Sequence, residues 1–300
     1  MIPLKKPRSY EEQITLLRNK NLLIKDEEFA KQILIQTWYY RLSGYYYFFY
    51  ENPKTSKKFV DGTTIEDIYN LYRFDKELRS ILFDLTSLVE IQLKSKLSYH
   101  LAHSYGEECW KNHQVIKQDQ QLYIFEKIKK SDSKSIKHHT EKYDGHYPIW
   151  VVLEILSFGG ILNILQNLNS DDKKTISNTY DFKPYYVISW IESVYKLRNN
   201  CAHHERIVGR VFKVKLDKSM KAQSSKDSLF IMILAIKKLT KGNLDSWSYY
   251  QKKLKNLLEE PDFSQGRLEN LTEKLGFPTN WDEILSQVDL WRKYKKGILI

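Results

Sequence analysis

The densest group of functional side chains in this 300-residue chain is Lys196-Leu197-Arg198-Asn199-Asn200-Cys201-Ala202-His203-His204-Glu205-Arg206-Ile207. It follows directly on an apolar stretch of helical spacing. Imidazoles titrate near neutral pH, so one can take a proton from a ribose 2′-hydroxyl or give one to a departing 5′-oxygen. A guanidinium can hold a phosphate bidentately and stabilise its growing negative charge. Such a pair can cleave RNA without metal. Arg198 and His203 stand five apart, about 140° around an ideal helix, so a shared face needs the reach of the arginine or a local break. The R-x(4)-H spacing arises often by chance and marks candidates only. Asn199 and Asn200 read equally well as caps of a helix C-terminus, and Glu205 as a surface charge.

Other chemistries lack their signatures. No phosphate-binding glycine loop, nucleophile elbow or H-E-x-x-H occurs. Histidines that could bind metal are His100/His103, His138/His139 and His203/His204. His100 and His103 lie one turn apart with no acidic or cysteine partner nearby in sequence, so packing or surface roles are favoured and no metal and no cofactor is expected. Cys109 and Cys201 are too far apart in sequence for a C-x-x-C site, and two cysteines make no disulfide framework. That usage fits a reducing cytoplasm.

The elements that must position the candidates read as helices throughout. Glycine and proline are scarce, 11 and 7 in the whole chain. Short helices are predicted over Tyr10–Asn19 and Asp26–Gln36. A much longer pattern, one helix or two, opens after Thr63 or Thr64 and runs to about His103, with Gly106 stopping it. Asp75 and Arg79, four apart on it, read as an ion pair worth a few tenths of a kcal/mol, with a role in buttressing the site as the alternative. Glu90 and Lys94 read likewise. The aromatic run Trp38 to Tyr50 is read as buried packing, with stacking of unpaired bases as the alternative. Lys127 to Lys142, rich in Lys and Ser, is predicted to be a mobile basic loop. Pro148 starts a helix through Ile155, with a break or bend at Phe158-Gly159-Gly160 before Ile161 to Leu168. Pro184 precedes a helix from Tyr185 to about Arg198, another covers 227–240, and 245–300 reads as short helices around Trp247, Leu257, Trp281 and Trp291. The expected fold class is all-α.

Composition sets the outer limits. The chain is 42% hydrophobic and 28% charged, enough for a packed core, which excludes general disorder. No apolar run approaches the roughly 18 residues of a membrane span, and the N-terminus has no apolar signal region. The expectation is a soluble, cytoplasmic protein. A net charge of +11 suits a polyanion such as nucleic acid. The lysine-heavy composition has a second source in an AT-rich genome, so charge alone decides nothing.

Taken in order, several segments resemble the Abi-like family of bacterial abortive-infection proteins, the AbiD/AbiF group of the HEPN superfamily. They begin with Lys6-Pro7, Tyr10 to Ile14, Tyr39-Tyr40-Arg41-Leu42-Ser43-Gly44-Tyr45, Tyr72 to Arg79 and Val89 to Lys94. Pro148 to Glu154, Ser157-Phe158-Gly159, Ser189-Trp190 and Leu197 to Arg206 complete the series. The resemblance covers most of residues 5–212. It implies a HEPN-type helical bundle whose R-x(4–6)-H motif cleaves RNA without metal. Arg198 and His203 match the two fixed positions, Asn199 the polar residue after the arginine, and His204 and Arg206 the family's extension. Where the family often continues with an aromatic-Asn pair, Val208-Gly209-Arg210 stands here.

The expectation is therefore a HEPN-like core over 61–212, with an N-terminal helical and aromatic segment, 1–60, and a helical extension, 213–300. The function expected is a metal-independent endoribonuclease of antiviral defence or toxin–antitoxin type, leaving 2′,3′-cyclic phosphate and 5′-hydroxyl ends. Arg198 and His203 are the expected catalytic residues, and Asn199, Asn200, His204 and Arg206 support them or bind RNA. The expected partners are an RNA substrate, a noncoding RNA or protein antitoxin, and a second copy of the chain in a homodimer that shares the site. A non-catalytic RNA-binding module and a purely structural dimerisation partner are the rivals.

Overall fold

The computed structural model describes residues 6–221, 227–240, 244–259 and 271–286. In chain order its α-helices are α1 (Tyr10–Arg18), α2 (Glu27–Thr37), α3 (Tyr39–Ser43), α4 (Ile65–Tyr105), α5 (Gln118–Lys129), α6 (Lys134–Lys142), α7 (Ile149–Ile155) and α8 (Phe158–Asn167). They continue with α9 (Ser170–Asn178), α10 (Pro184–Ala202), α11 (Lys218–Lys221), α12 (Leu229–Leu239), α13 (Leu244–Glu259), α14 (Leu271–Lys274) and α15 (Trp281–Ser286). Among the described residues no strand occurs, and the fold is all-α.

Helix α4 is the spine. It runs unbroken for 41 residues, about 60 Å at 1.5 Å per residue. Thr64 and Asp67 form a capping box at its start, and Gly106, with φ of 86°, ends it. Its buried stripe, Ile68, Leu71, Leu78, Leu82, Leu85, Val89, Leu93, Leu97 and Leu101, keeps helical spacing throughout. That stripe packs along α10 and against α7, α8, α9, α12 and α13. One hydrophobic core joins these helices to the N-terminal ones. Trp247, Leu257 and Trp281 belong to it, while Trp291 lies outside the described residues.

Three local expectations need correction. The basic segment 127–142 is not a loop: α5 extends to Lys129 and α6 covers Lys134–Lys142, with the Ser133 hydroxyl capping the Ile136 amide. Ile124 and Ile128 bury one face of α5 and Ile136 one face of α6, so the lysines occupy the solvent side. The break before α8 falls at Leu156-Ser157, not at the glycines. Ser157 caps α8, and Gly159 and Gly160 sit inside its first turn, where a Cβ would press on Tyr195 and Tyr123 at 3.0 Å. Helix α10 continues past Arg198 to Ala202, so Asn199 and Asn200 lie within its last turn. The aromatic run divides: Tyr45, Tyr46 and Phe49 are buried, the two tyrosines in edge-to-face contacts with Tyr72 and Phe59, whereas Trp38, Tyr40 and Tyr47 are exposed.

Candidate functional site

Helix α10 positions the candidate motif. Val187, Trp190, Ile191, Val194, Leu197 and Cys201 form its buried stripe, and the Trp190 indole donates to the Lys215 carbonyl at 2.6 Å. With the helix locked in that rotation, Arg198 emerges beside the stripe, on the α4 side. Its side chain is 32% exposed, with Nε 3.9 Å from Glu90 Oε2 and the guanidinium 5.6 Å from the centre of the Phe83 ring. Glu90 also meets Lys94 at 3.7 Å, and Lys94 donates to the Glu154 carbonyl at 3.0 Å. Glu90 and Lys94 thus belong to a four-residue polar cluster around Arg198 rather than to a solitary surface pair.

The helix ends in a Schellman turn. The His204 amide donates to the Cys201 carbonyl at 3.0 Å and the Glu205 amide to the Asn200 carbonyl at 2.8 Å. His203 is the cap residue, exposed to solvent. His204 takes the left-handed position, φ 57°, that glycine usually fills. Among the described residues no hydrogen bond or ion pair joins Arg198 to His203; the one leans on α4 and the other projects from the helix end.

The chain after the turn is clasped from three directions. Arg41, on α3, donates to the His204 carbonyl at 2.8 Å. Arg206 donates to the Gly44 carbonyl, and its guanidinium lies 5.1 Å from the centre of the Phe48 ring. Glu205 pairs with Arg210 at 2.5 Å. Deepest of all, Asp75 Oδ1 accepts from the amides of Ile207 and Val208 at 2.9 and 2.8 Å. Its Oδ2 accepts from the Tyr45 hydroxyl at 2.7 Å and from Arg79. Asp75 is 0% and Arg79 4% exposed, so this is a buried network and not the surface pair that spacing alone suggests. Burial is the largest single influence on the Arg79 charge and works against it, but the Asp75 carboxylate, together with Tyr45 and Tyr72, more than offsets it and the guanidinium pKa is raised. Burial pushes the Tyr45 hydroxyl pKa up, and Asp75 adds to the effect. Burial also raises the Cys201 thiol to about 12, which leaves it an inert core residue.

A family profile described as Abi-like protein matches residues 32–208. The chain belongs to the Abi-like protein family. The association of that family is with abortive infection, a defence response. Comparison with curated proteins and with solved structures returned no match. In this Abi-like chain the matched region closes at Val208, the last amide held by Asp75, and contains Arg41, Asp75 and Arg206 of the clasp, with Arg210 just beyond it. Asp75, Arg79 and Tyr45 are the site's hidden part: helical spacing suggests contact between Asp75 and Arg79, but no local signal places Tyr45 or the 207–208 backbone on them.

The remaining histidines lie elsewhere. His100 Nε2 is 2.6 Å from Asp172 Oδ1, and the same carboxylate accepts from the Tyr105 hydroxyl at 3.0 Å. His100 therefore has an acidic partner after all, 72 residues away in sequence on α9. It is ten residues beyond Glu90 on α4, about 15 Å along the axis from the Arg198 contact. His103 Nδ1 lies 2.7 Å from the Tyr99 carbonyl. Among the described residues no three His, Cys, Asp or Glu side chains gather to hold a metal ion, and no helix is long and apolar enough to cross a membrane.

Proposed function

We propose that this Abi-like chain is an endoribonuclease of antiviral defence, of abortive-infection or toxin–antitoxin type, acting in the cytoplasm. The 2′-hydroxyl of the substrate attacks the adjacent phosphate, and the 5′-oxygen of the next nucleotide departs. The products are a 2′,3′-cyclic phosphate and a 5′-hydroxyl, with no water consumed in the step. Arg198 clamps the phosphate, and His203 transfers a proton. The observation that carries this reading is the build of the helix end: an exposed imidazole on a turn clasped by α3 and α4, with a guanidinium about one-third exposed on the same last turns of α10. Asn199 and His204 border the pair, Asn200 supplies a turn carbonyl, and Arg206 serves by holding the loop to Gly44.

The reaction profits from two proton-transfer groups, and a second copy of the chain supplies the other. His100 and His103 are anchored elsewhere on α4, which supports a homodimer that brings two helix ends together across a two-fold axis. Exposed Ile91 and Trp150, near the Lys94–Glu154 contact, offer apolar surface for it. A non-catalytic RNA-binding role is favoured by one observation, the lack of contact between Arg198 and His203 within a chain. A noncoding RNA or a protein would then be the natural antitoxin of either form.

The test is cleavage of total cellular RNA in EDTA, with end mapping. Cyclic-phosphate ends with wild-type protein, lost in folded His203→Ala and Arg198→Ala, support the nuclease. Tight RNA binding with no cleavage by any of the three supports the binding module. Removing a positioned acid or base typically costs about 10²–10⁴ in rate, well within the range of such an assay.

A further inference from the structure

A second feature lies on the other side of the clasp. The N-terminal segment and the α2–α3 junction enclose a cleft of about 610 Å³, lined by Lys6, Arg8, Lys20, Trp38, Tyr39 and Tyr40 among others. No carboxylate is among its lining residues. Burial depresses the Lys20 pKa, and the nearby Arg8 charge adds to this. Crowded cations without a carboxylate among them make a receptor for an anion.

The aromatic residues say which anion. Trp38 is 55% exposed and Tyr40 83%, large apolar rings left in solvent while Tyr45 and Tyr46, a few residues on, are packed away. Trp38 also has φ of 40° and ψ of 146°. For a bulky side chain this is an outlier of the kind that persists only where the surroundings enforce it. The kink interrupts the helical path between Thr37 and Tyr39. Arg41 stacks 5.0 Å from the indole centre, and the same guanidinium donates to the His204 carbonyl at 2.8 Å. One side chain thus connects the strained tryptophan to the turn that presents His203.

We propose that this cleft is a subsite for unpaired RNA nucleotides, in which Trp38 and Tyr40 stack bases while Arg8, Lys6 and Lys20 hold phosphates. Flat exposed rings interleaved with cations are the chemistry of single-stranded nucleic acid binding, since every base has a π-face and every linkage a charge. An acidic peptide would use the cations but gain little from two exposed ring faces. The proposal rests on the RNA reading above and adds where the strand lies: it passes from the cleft over Arg41 to the Arg198/His203 turn.

The test uses full-length protein and a fluorescent 12-nucleotide 2′-O-methyl RNA, which cannot be cleaved by its own 2′-oxygen. Binding is read by anisotropy across a salt series, with cleavage of unmodified RNA followed in parallel. Trp38→Ala and Tyr40→Ala should each weaken binding about 5- to 100-fold, with Trp38→Phe retaining most of it. Arg8→Gln should lower the log–log salt slope by about 0.7, while Trp38→Ala leaves the slope unchanged. An oligonucleotide with abasic sites should bind wild type weakly and ignore Trp38→Ala. Because Tyr40 is almost fully exposed, its variant decides the matter if Trp38→Ala fails to fold. Wild-type binding and cleavage unaltered in Tyr40→Ala and Trp38→Phe/Tyr40→Ala would overturn the subsite and leave the nuclease standing. Polyglutamate displacing the oligonucleotide as well as poly(U) of equal charge would also overturn it. A wild-type protein that neither binds nor cleaves RNA removes the nuclease reading first, and the subsite with it.

Discussion

Asp75→Asn isolates the charge in the buried network from its hydrogen bonds. Asparagine keeps an oxygen where Oδ1 accepts from Ile207 and Val208, so the loop after the motif retains both anchors. The amide nitrogen takes the place of Oδ2. It can donate to the Tyr45 oxygen, but it presents hydrogens to Arg79, which is 4% exposed and keeps only the Tyr45 hydroxyl at 3.2 Å among its network partners. Breaking a buried pair from one side typically costs about 3–5 kcal/mol, because the remaining charge is left uncompensated. The Tyr45 contact puts Asp75→Asn at the lower end, about 3 kcal/mol, or roughly 6–12 °C in Tm for a chain of this size. Asp75→Ala would add two orphaned buried amides at about 1–3 kcal/mol each. Its total rivals the entire stability of an ordinary domain, so it is the wrong variant to make.

Arg79→Met is the informative partner. It leaves the Asp75 carboxylate accepting from three neutral donors, the Tyr45 hydroxyl and the Ile207 and Val208 amides, and should cost less than Asp75→Asn. In the double variant the stranded guanidinium is gone, so the combined loss should fall short of the sum by about 2–3 kcal/mol. Urea denaturation of the four proteins measures the cycle. Additive losses, or an Asp75→Asn cost under about 1 kcal/mol, would refute the argument that a desolvated charge pair anchors the clasp. At temperatures far below its lowered Tm, Asp75→Asn should still cleave RNA near the wild-type rate, because the two amide contacts that shape the loop survive.

Other variants probe single features. His204→Gly should stabilise the protein by up to about 1 kcal/mol in thermal or urea melts, since glycine enters the left-handed turn without strain. Gly209→Ala should cost about 1–3 kcal/mol, because φ is 76° and a Cβ would come within 2.7 Å of the Phe48 ring. Cys201, held to about 12, and Cys109, held to about 11, should resist iodoacetamide at pH 8 in the native protein and react on unfolding, as intact mass would record. In bacteria, overexpression should arrest growth, and Arg198→Ala or His203→Ala should relieve the arrest with Tm nearly unchanged; equal toxicity from the folded variants would sink the catalytic assignment.

Several helix limits were legible from their caps, though those set by Ser133, Ser157 and Asn169 were not. Asp26, Thr64, Gly106 and Pro184 each stand within a residue of an observed boundary, because capping is settled by neighbours in sequence. Helix α9 gave little warning: apart from Ile176 its turns are polar, and it is held by the Asn169 cap and by Asp172 meeting His100. The segment 127–142 reads as a loop because lysine and serine dominate its composition, while its two buried isoleucines, Ile128 and Ile136, fall on different helices. At the site, sequence and resemblance pointed to Arg198 and His203, yet the residues that shape the turn lay hidden. Asp75 meets Ile207 across 132 positions and Arg41 meets His204 across 163. Spacing along one helix reveals that two groups can touch, not that a third strand of chain will bury them.

The two least comfortable backbone positions say where the fold has been constrained by something other than stability. Six described non-glycine residues have positive φ, and four of them are Asn or Asp, which tolerate that region. The other two are Trp38, an outlier for a bulky residue, and His204, whose residue type enters that region more readily and which closes the Schellman turn. They are far apart in sequence, yet the Arg41 guanidinium stacks on the first and bonds the carbonyl of the second. Glycine would relax either backbone, though at position 38 it would forfeit the Arg41 contact with the indole. Strain of this kind persists where surrounding contacts over-determine the backbone, and it gathers at sites that present side chains outward. Here the over-determination is visible: Arg41 and Arg206 hold the rim of the turn, and Asp75 holds its exit from beneath. A tryptophan and a histidine, both presented to solvent and coupled through one arginine, form a single surface rather than two local irregularities. The clasp makes mechanical sense if both side chains must meet the same extended ligand.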